Sequence, residues 1–412
     1  MANARSRSKG VAGWLPVEGG VTAPEGYLAS GVAAGIKAEG LDLAVVFSSL
    51  PASAAGVFTR NRVQAAPVRL SRERLKLSRG RARAILVNSG CANACTGERG
   101  DKDSLLSAQS LASRLNVDAG QVLVASTGAI GYFLPMPKLL KGVGAAASAL
   151  NSKGGLAAAH AIMTTDTCEK VVAFEGVVGG KVVRIGGMAK GSGMIHPDMA
   201  TMLGVITTDF KVAPGALQKV LRRVVERTFN CLTVDGDTST NDTVFVLANG
   251  ASGAAASDGR SLLEFEKGLG LVCAELAKKI ARDGEGATKF VEVTVSRAAD
   301  FASARTVAKA IAHSPLVKTA LFGQELNWGR ILCAVGYSKV PFDPDEVALS
   351  LNGIPIFRKG APVAATRARA EKAIQARDLK IEVDLAGGRE SATVWTCDLS
   401  HEYVNINASY IS

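Results

Sequence analysis

Residues 190–203 read KGSGMIHPDMATML: a lysine, two glycines and a proline lead to an Ala200–Thr201 pair, and the following LGVITTD reads as a buried strand. Three readings compete for this stretch. A phosphate-binding P-loop needs its lysine after the glycines and a helix behind it. Here Lys190 precedes Gly191 and Gly193, and a strand follows, so the phosphate reading fails. A structural glycine loop is the default for a single G-x-G. A threonine nucleophile accounts for more of the residues. Its hydroxyl is weak unless a base sits beside it, and cleavage directly before Thr201 would free an α-amine on the same residue. Such an amine titrates near 7.7–8.0, so about a quarter is neutral at roughly pH 7.4. A nearby ammonium such as Lys190 would raise that fraction. Ala200 leaves the preceding carbonyl open, the β-branch of Thr201 restricts its χ1, and Gly191 and Gly193 permit unusual backbone. On spacing alone the structural loop remains preferred.

The rest of the chain limits what can surround this stretch. At 412 residues, 47% hydrophobic and 21% charged, it suits one large globular domain or two ordinary ones. No apolar run reaches the length of a membrane span, and MANARSRSKGVAGW has basic residues but no apolar h-region, so no secretory signal is expected. Seven widely spaced cysteines argue against a disulfide framework and fit a reducing cytoplasm. Cys91 and Cys95 form a C-x3-C pair, but no second Cys/His cluster follows among four histidines, so no metal site is expected. The net charge of +11 is dispersed and aromatics are only 5%. A surface that draws in anionic metabolites fits better than a nucleic-acid groove.

Strand-like runs recur at 42–48, 83–89, 121–127, 181–187, 202–208, 243–249, 290–296, 330–336, 347–353, 380–386 and 392–398. Asn352–Gly353 marks a tight hairpin turn. DSLLSAQSLASRL predicts a helix capped at Asp103 or Ser104, with Leu105, Leu106, Leu111 and Leu115 repeating along it. Pro214 opens a second helix with Leu217, Val220, Leu221, Val224 and Val225 on one face, and SLLEFEKGLGLVCAELAKKIARDGEG predicts a third. Bunched strands with covering helices indicate α+β layers rather than a strict strand–helix alternation. Neither a repeat nor a linker is evident, so the two halves share one core.

The motif at 190–203 resembles the self-cleavage motif of the ornithine acetyltransferases of arginine biosynthesis, also called bifunctional glutamate N-acetyltransferases. The likeness runs through NSGCANACTG (88–97), ASTGAIG (125–131), MTTDT (163–167), VDGDTSTNDT (234–243), SPLVKTALFG (314–323), NWGRILCAVG (327–336) and the terminal YVNINASYIS. It implies an αββα layered, N-terminal-nucleophile-like fold built jointly by an α chain (1–200) and a β chain (201–412), cut between Ala200 and Thr201 and assembled as α2β2. The implied reaction moves acetyl from N2-acetylornithine to glutamate through acetyl-Thr201. No bound cofactor is implied, and bifunctional members also take acetyl-CoA as donor. The fold-related aminopeptidases, which also self-cleave but hand the acyl group to water, are the alternative enzyme reading. A non-catalytic binding protein with an intact chain is a third.

The resemblance also assigns roles. Thr201 is the nucleophile, and Thr127 and Gly128 match the oxyanion hole. Lys190 matches a substrate-contacting and activating position, although alone it would read as a solvated surface lysine. Thr164 best matches a substrate-binding threonine, with Thr165 as an open alternative. Glu285, Asn407 and Ser412 match further substrate contacts, Glu285 suiting an ammonium and the two C-terminal residues an α-carboxylate. Cys91 stands where the family pattern has asparagine, Glu325–Leu326 where Asp-Pro is usual, and Ser412 where threonine is frequent.

Overall fold

The computed structural model describes residues 13–196 and 202–409. Among these, strands β1 (Trp14–Pro16), β2 (Tyr27–Val32), β3 (Leu43–Phe58), β4 (Arg81–Asn88), β5 (Val122–Ser126), β6 (Lys170–Val178), β7 (Lys181–Lys190), β8 (Leu203–Thr208) and β9 (Thr243–Ala248) form one sheet. A second sheet takes β10 (Phe290–Ala298), β11 (Ala348–Leu351), β12 (Ile354–Arg358), β13 (Ala361–Pro362), β14 (Asp378–Asp384) and β15 (Glu390–Cys397). The helices are α1 (Ala66–Leu77), α2 (Gly97–Leu115), α3 (Met136–Ser148), α4 (Gly155–Ala161), α5 (Pro214–Arg227), α6 (Gly259–Arg282), α7 (Phe301–His313), α8 (Pro315–Phe322), α9 (Trp328–Gly336), α10 (Arg367–Ala373) and α11 (His401–Ser409). None of the described helices is long and apolar enough to cross a membrane.

The first sheet runs β1-β6-β7-β8-β9-β3-β4-β5, with β2 also on β3. In a flat sheet β7 and β5 would lie five strands apart, about 24 Å. Yet Lys190 at the end of β7 reaches Thr127, just beyond β5, at 3.1 Å. The sheet is therefore folded over. β3 makes the fold: its first half pairs with β2, its second half with β9, and its pairing to β4 shifts register between Phe47 and Ala52. Pro51 sits within that shift, where a missing N–H costs no ladder bond.

Two layers result. Val46, Ile85, Leu123, Val205, Phe245 and Leu247 fill the space between them. Outside one layer, Leu43, Leu86 and Val124 pack on α2 and α3; outside the other, Ile185, Ile206 and Val246 pack on α5 and α6. This is an αββα order. α6 also faces the second sheet, so the largest core cluster runs from Trp14 to Cys397, and the halves share one core as the absence of a linker implies.

Three local expectations change. Residues 330–336 are not a strand but most of α9, which Asn327 caps by accepting from the Arg330 N–H at 3.2 Å. Ile331, Ala334 and Val335 are buried at helical spacing; a short, mostly apolar run does not by itself distinguish the two states. α2 starts at Gly97, six residues before Asp103, and Leu105 and Leu106 are exposed. Its buried face is Gly100, Ser104, Ser107, Ala108, Leu111 and Ala112, all but Leu111 small residues that admit close approach of α3. α5 and the Asn352–Gly353 turn are as read: the five apolar residues are buried, and φ is 48° and 74° in the turn.

Candidate active site

β7 ends at Lys190, and the chain then turns through Gly191–His196. Gly191 has φ +148° and Met194 φ 53°, but Gly193 is not in the left-handed region. A Cβ there would lie 2.2 Å from Glu285 Oε2, so Gly193 is small to make room for that carboxylate, not to permit unusual backbone.

This loop is held at several points. The Gly191 N–H donates to Asp166 at 2.7 Å, and the Met194 and Ile195 N–H groups donate to Asp235 at 2.6 and 2.8 Å. The Ser192 carbonyl accepts from the Glu285 N–H at 2.9 Å. The Ser192 and Thr165 hydroxyls share a hydrogen bond of 2.7 Å. Ala200 and Thr201 lie outside the described residues, as does Ser412.

The loop forms one wall of a cavity of ≈ 230 Å³. Thr127, Gly128, Thr164, Thr165, Lys190, Glu285 and Asn407 all line it, together with Met202, which follows Thr201. Segments far apart in the chain thus converge, brought together by the folding of the sheet.

Thr127 and Gly128 follow β5. The Thr127 N–H is used on Asn88 O at 3.0 Å, while its Oγ1 accepts from Lys190 Nζ at 3.1 Å. A charged ammonium only donates, so the threonine hydroxyl keeps its own hydrogen for another acceptor. Among the described residues the Gly128 N–H has no acceptor either. Gly128 has φ +126°, and a Cβ there would lie 2.3 Å from the Gly90 carbonyl carbon and 2.6 Å from the Cys91 nitrogen. Only glycine fits. Cys91 is buried behind the pair, its Sγ 3.3 Å from Tyr132 O, and its backbone bridges to Thr127 and Ala129. Burial raises its thiol pKa.

Lys190 is 9% exposed, contrary to a solvated surface lysine. Burial lowers its pKa; Lys170 adds to this, while Asp166, Asp242 and Glu285 oppose it. Behind it stands a charged group that sequence reasoning missed. Lys170 Nζ contacts Asp166 at 2.6 Å and Asp283 at 2.5 Å, all three side chains buried. Burial would raise the Asp166 pKa, but Lys190, Lys170 and the Gly191 N–H overcome it and bring it to about 2. Asp166 also accepts from the Thr164 N–H at 3.0 Å. Its only sequence signal was its place in MTTDT.

Glu285 is buried rather than exposed. Asn407 on α11 donates to its Oε2 at 2.8 Å and to Tyr403 O at 2.9 Å. Its amide hydrogens are thus committed to Glu285 and α11, not turned toward a carboxylate in the cavity. Tyr403 and Asp235, also unassigned from sequence, join at 3.3 Å in the wall. The two threonines separate: Thr165 is tied to Ser192, whereas the Thr164 hydroxyl has no partner among the described residues. Nor do the described residues include a His, Cys, Asp and Glu cluster able to hold a metal ion. The cavity can therefore present a hydroxyl and an N–H to an oxyanion, a carboxylate to a cation, and an ammonium beside both.

Comparison with known proteins gives a consistent result. The ArgJ family model matches residues 28–412. The arginine biosynthesis bifunctional protein ArgJ of Thermosynechococcus vestitus is 49% identical over 416 residues, covering 96% of this chain and 99% of its own. The protein of the same name from Symbiobacterium thermophilum is 49% identical over 402 residues, with the same coverage of 96% and 99%. Among solved structures, a chain of ornithine acetyltransferase complexed with ornithine, from Mycobacterium tuberculosis, is 47% identical. It covers 45% of this chain and 100% of its own, with a TM-score of 0.42.

Proposed function

The chain belongs to the ArgJ family, and from that premise we propose that it is a self-processing acetyltransferase of arginine biosynthesis with Thr201 as its nucleophile. The precursor cuts itself between Ala200 and Thr201, giving chains 1–200 and 201–412 that assemble as α2β2. The new α-amine of Thr201 is then the general base.

The acetyl group moves in two halves. In the first, Thr201 Oγ attacks the acetyl carbonyl of N2-acetylornithine, and the hydroxyl proton passes to the α-amine. The tetrahedral oxyanion takes hydrogen bonds from the Thr127 hydroxyl and the Gly128 N–H, each worth about 3–4 kcal/mol in such a site. The C–N bond breaks, the proton goes to the departing ornithine nitrogen, and acetyl-Thr201 remains. In the second half the amine of glutamate attacks that ester. Its proton passes by way of the α-amine to Thr201 Oγ as the C–O bond opens, and N-acetylglutamate leaves. Lys190 keeps the Thr127 hydroxyl turned and lowers the amine pKa. Glu285 pairs with the substrate's ammonium, aimed by Asn407, while Thr164 and Ser412 supply further substrate contacts.

A thioester would load the same threonine, so acetyl-CoA serves as a second donor. At ≈ 230 Å³ the cavity is below the ~300 Å³ at which pockets for drug-sized ligands begin, so coenzyme A would present only its acetylated end. No bound cofactor enters the scheme.

The observation that supports this reading is the convergence of Thr127, Gly128, Thr164, Lys190 and Glu285 on one cavity that Met202 also lines. Intact mass under denaturing conditions, with N-terminal sequencing, is the test. Two chains, one beginning Thr-Met-Leu-Gly, are expected, and Thr201→Ala should stay intact and inactive. A cleaved, active Thr201→Ala protein would overturn the proposal. Acetylornithine consumed to acetate without acetylglutamate would mean transfer to water instead.

A further inference from the structure

Asp242 carries a feature the scheme above leaves unused. It stands immediately before β9 and is 2% exposed. Its successor Thr243 donates its N–H to Met202 O at 2.9 Å and pairs in register with Leu203 on β8. Asp242 therefore lies abreast of Met202, the residue joined to Thr201, and both line the cavity. One carboxyl oxygen, Oδ2, is buried without a hydrogen-bond partner among the described residues. A buried acceptor left without a donor is unfavourable and calls for an explanation. Here the acceptor lies abreast of Met202, the residue that would follow the new N-terminus.

We propose that Asp242 is the positioning residue of the nucleophile: Oδ2 accepts a hydrogen bond from the α-amine released in front of Thr201. A neutral amine has two hydrogens and one lone pair. Giving one hydrogen to Asp242 fixes its rotation and leaves the lone pair free to face the hydroxyl it must deprotonate. Once the amine has taken that proton, the carboxylate holds the ammonium until the departing amine receives it. Lys190, from the end of β7, is the charge that acts on Asp242, and Glu285, Asp235 and Asp237 line the same cavity. Burial raises the pKa of Asp242 well above its ordinary value, and Lys190 with the Ser239 and Thr59 hydroxyls only partly opposes this. A cation arriving beside the carboxyl would complete its neutralisation. This inference rests on the reading of Thr201 as a processed nucleophile.

The test is Asp242→Asn, nearly isosteric but unable to ionise, compared with the wild type for cleavage and for the pH dependence of kcat/KM with N2-acetylornithine. Because the amine does not exist before the cut, the variant should still cleave. Its kcat should fall about tenfold or more. A carboxylate within hydrogen-bond reach raises the pKa of an amine by roughly one unit or more, so the acidic limb of the profile should move to lower pH by about that amount. A cleaved variant with the wild-type limb would overturn the proposal, and so would a folded variant that stays intact while the wild type is cut. An intact wild-type chain would instead refute the Thr201 reading itself. If Asp242→Asn does not fold by near-ultraviolet circular dichroism, Asp242→Ser removes the same charge in a smaller volume and is held to the same shift.

Discussion

Replacing Gly193 with alanine tests the acidic wall of the cavity without replacing an ionisable group. The added Cβ would lie 2.2 Å from Glu285 Oε2 and 2.4 Å from its Cδ. Carbon and oxygen settle no closer than about 3.3 Å, so the carboxylate must retreat by roughly 1 Å. It can do so cheaply, because it is the end of a flexible side chain, and Gly193 does not need a left-handed backbone. The expected cost in stability is therefore small, within about 1 kcal/mol. Function should respond far more. The shift breaks the 2.8 Å bond from Asn407 and withdraws the proposed partner of the substrate ammonium. A charge-assisted hydrogen bond contributes about 1.5–3 kcal/mol, equivalent to a loss of roughly 10- to 150-fold in kcat/KM for N2-acetylornithine. Melting temperature and steady-state kinetics measure the two sides. A double-mutant cycle decides the mechanism: on a Glu285→Ala background the Gly193 substitution should have almost no further effect. Additive losses, or a large drop in melting temperature with unchanged kinetics, would refute the reasoning.

Gly128→Ala meets backbone instead of a mobile side chain and requires φ +126° of a non-glycine residue; with strain of about 1–3 kcal/mol before any clash, both lower thermal stability and a loss of activity beyond 100-fold are expected. Thr164→Val should raise KM with little effect on maturation, whereas Thr165→Val, which loses the bond to Ser192, should slow appearance of the two chains; pulse–chase gels and kinetics separate them. The Asp166 pKa lies at about 2 against an ordinary 3.8, a difference worth roughly 2–3 kcal/mol. Because the folded pKa is depressed, that stabilisation is complete above about pH 5 and is lost as pH falls toward 2, so the advantage of wild type over Asp166→Asn in urea should shrink between pH 5 and pH 3; a constant difference would contradict it. His196 and His313, rings 4.0 Å apart, are held by burial at pKa values of about 3 and about 4. The unfolded chain protonates both below about pH 6.5, so stability should begin to fall there, and His313→Gln should flatten that slope.

Much of the fold was legible where one face of one element is buried. In α5 the apolar residues repeat at helical spacing and all five are buried. It was less legible where tertiary geometry outweighs the local pattern. β3 reads as a short strand because Pro51 interrupts it, yet it continues to Phe58 through the register shift that turns the sheet over. α2 buries serines and alanines and exposes two leucines, since the closeness of α3 rewards small side chains over apolar ones.

The candidate site divides along the same line. Residue types that suit acyl transfer were visible in the motifs, and their neighbourhood was not. Lys190 reads as a surface residue because nothing local says that its strand ends 3.1 Å from a hydroxyl 63 positions away. The Lys170 group spans 113 positions between its basic residue and Asp283, a distance at which no spacing rule operates. Gly191 and Gly193 look equivalent in the sequence, yet one is set by its φ and the other by a carboxylate from residue 285. A motif can therefore name the atoms of a reaction without locating the charges that tune it. Those charges come from strands that become neighbours only when β3 folds the sheet, which makes the bend at Phe47–Ala52 as much a condition of the chemistry as the residues that line the cavity.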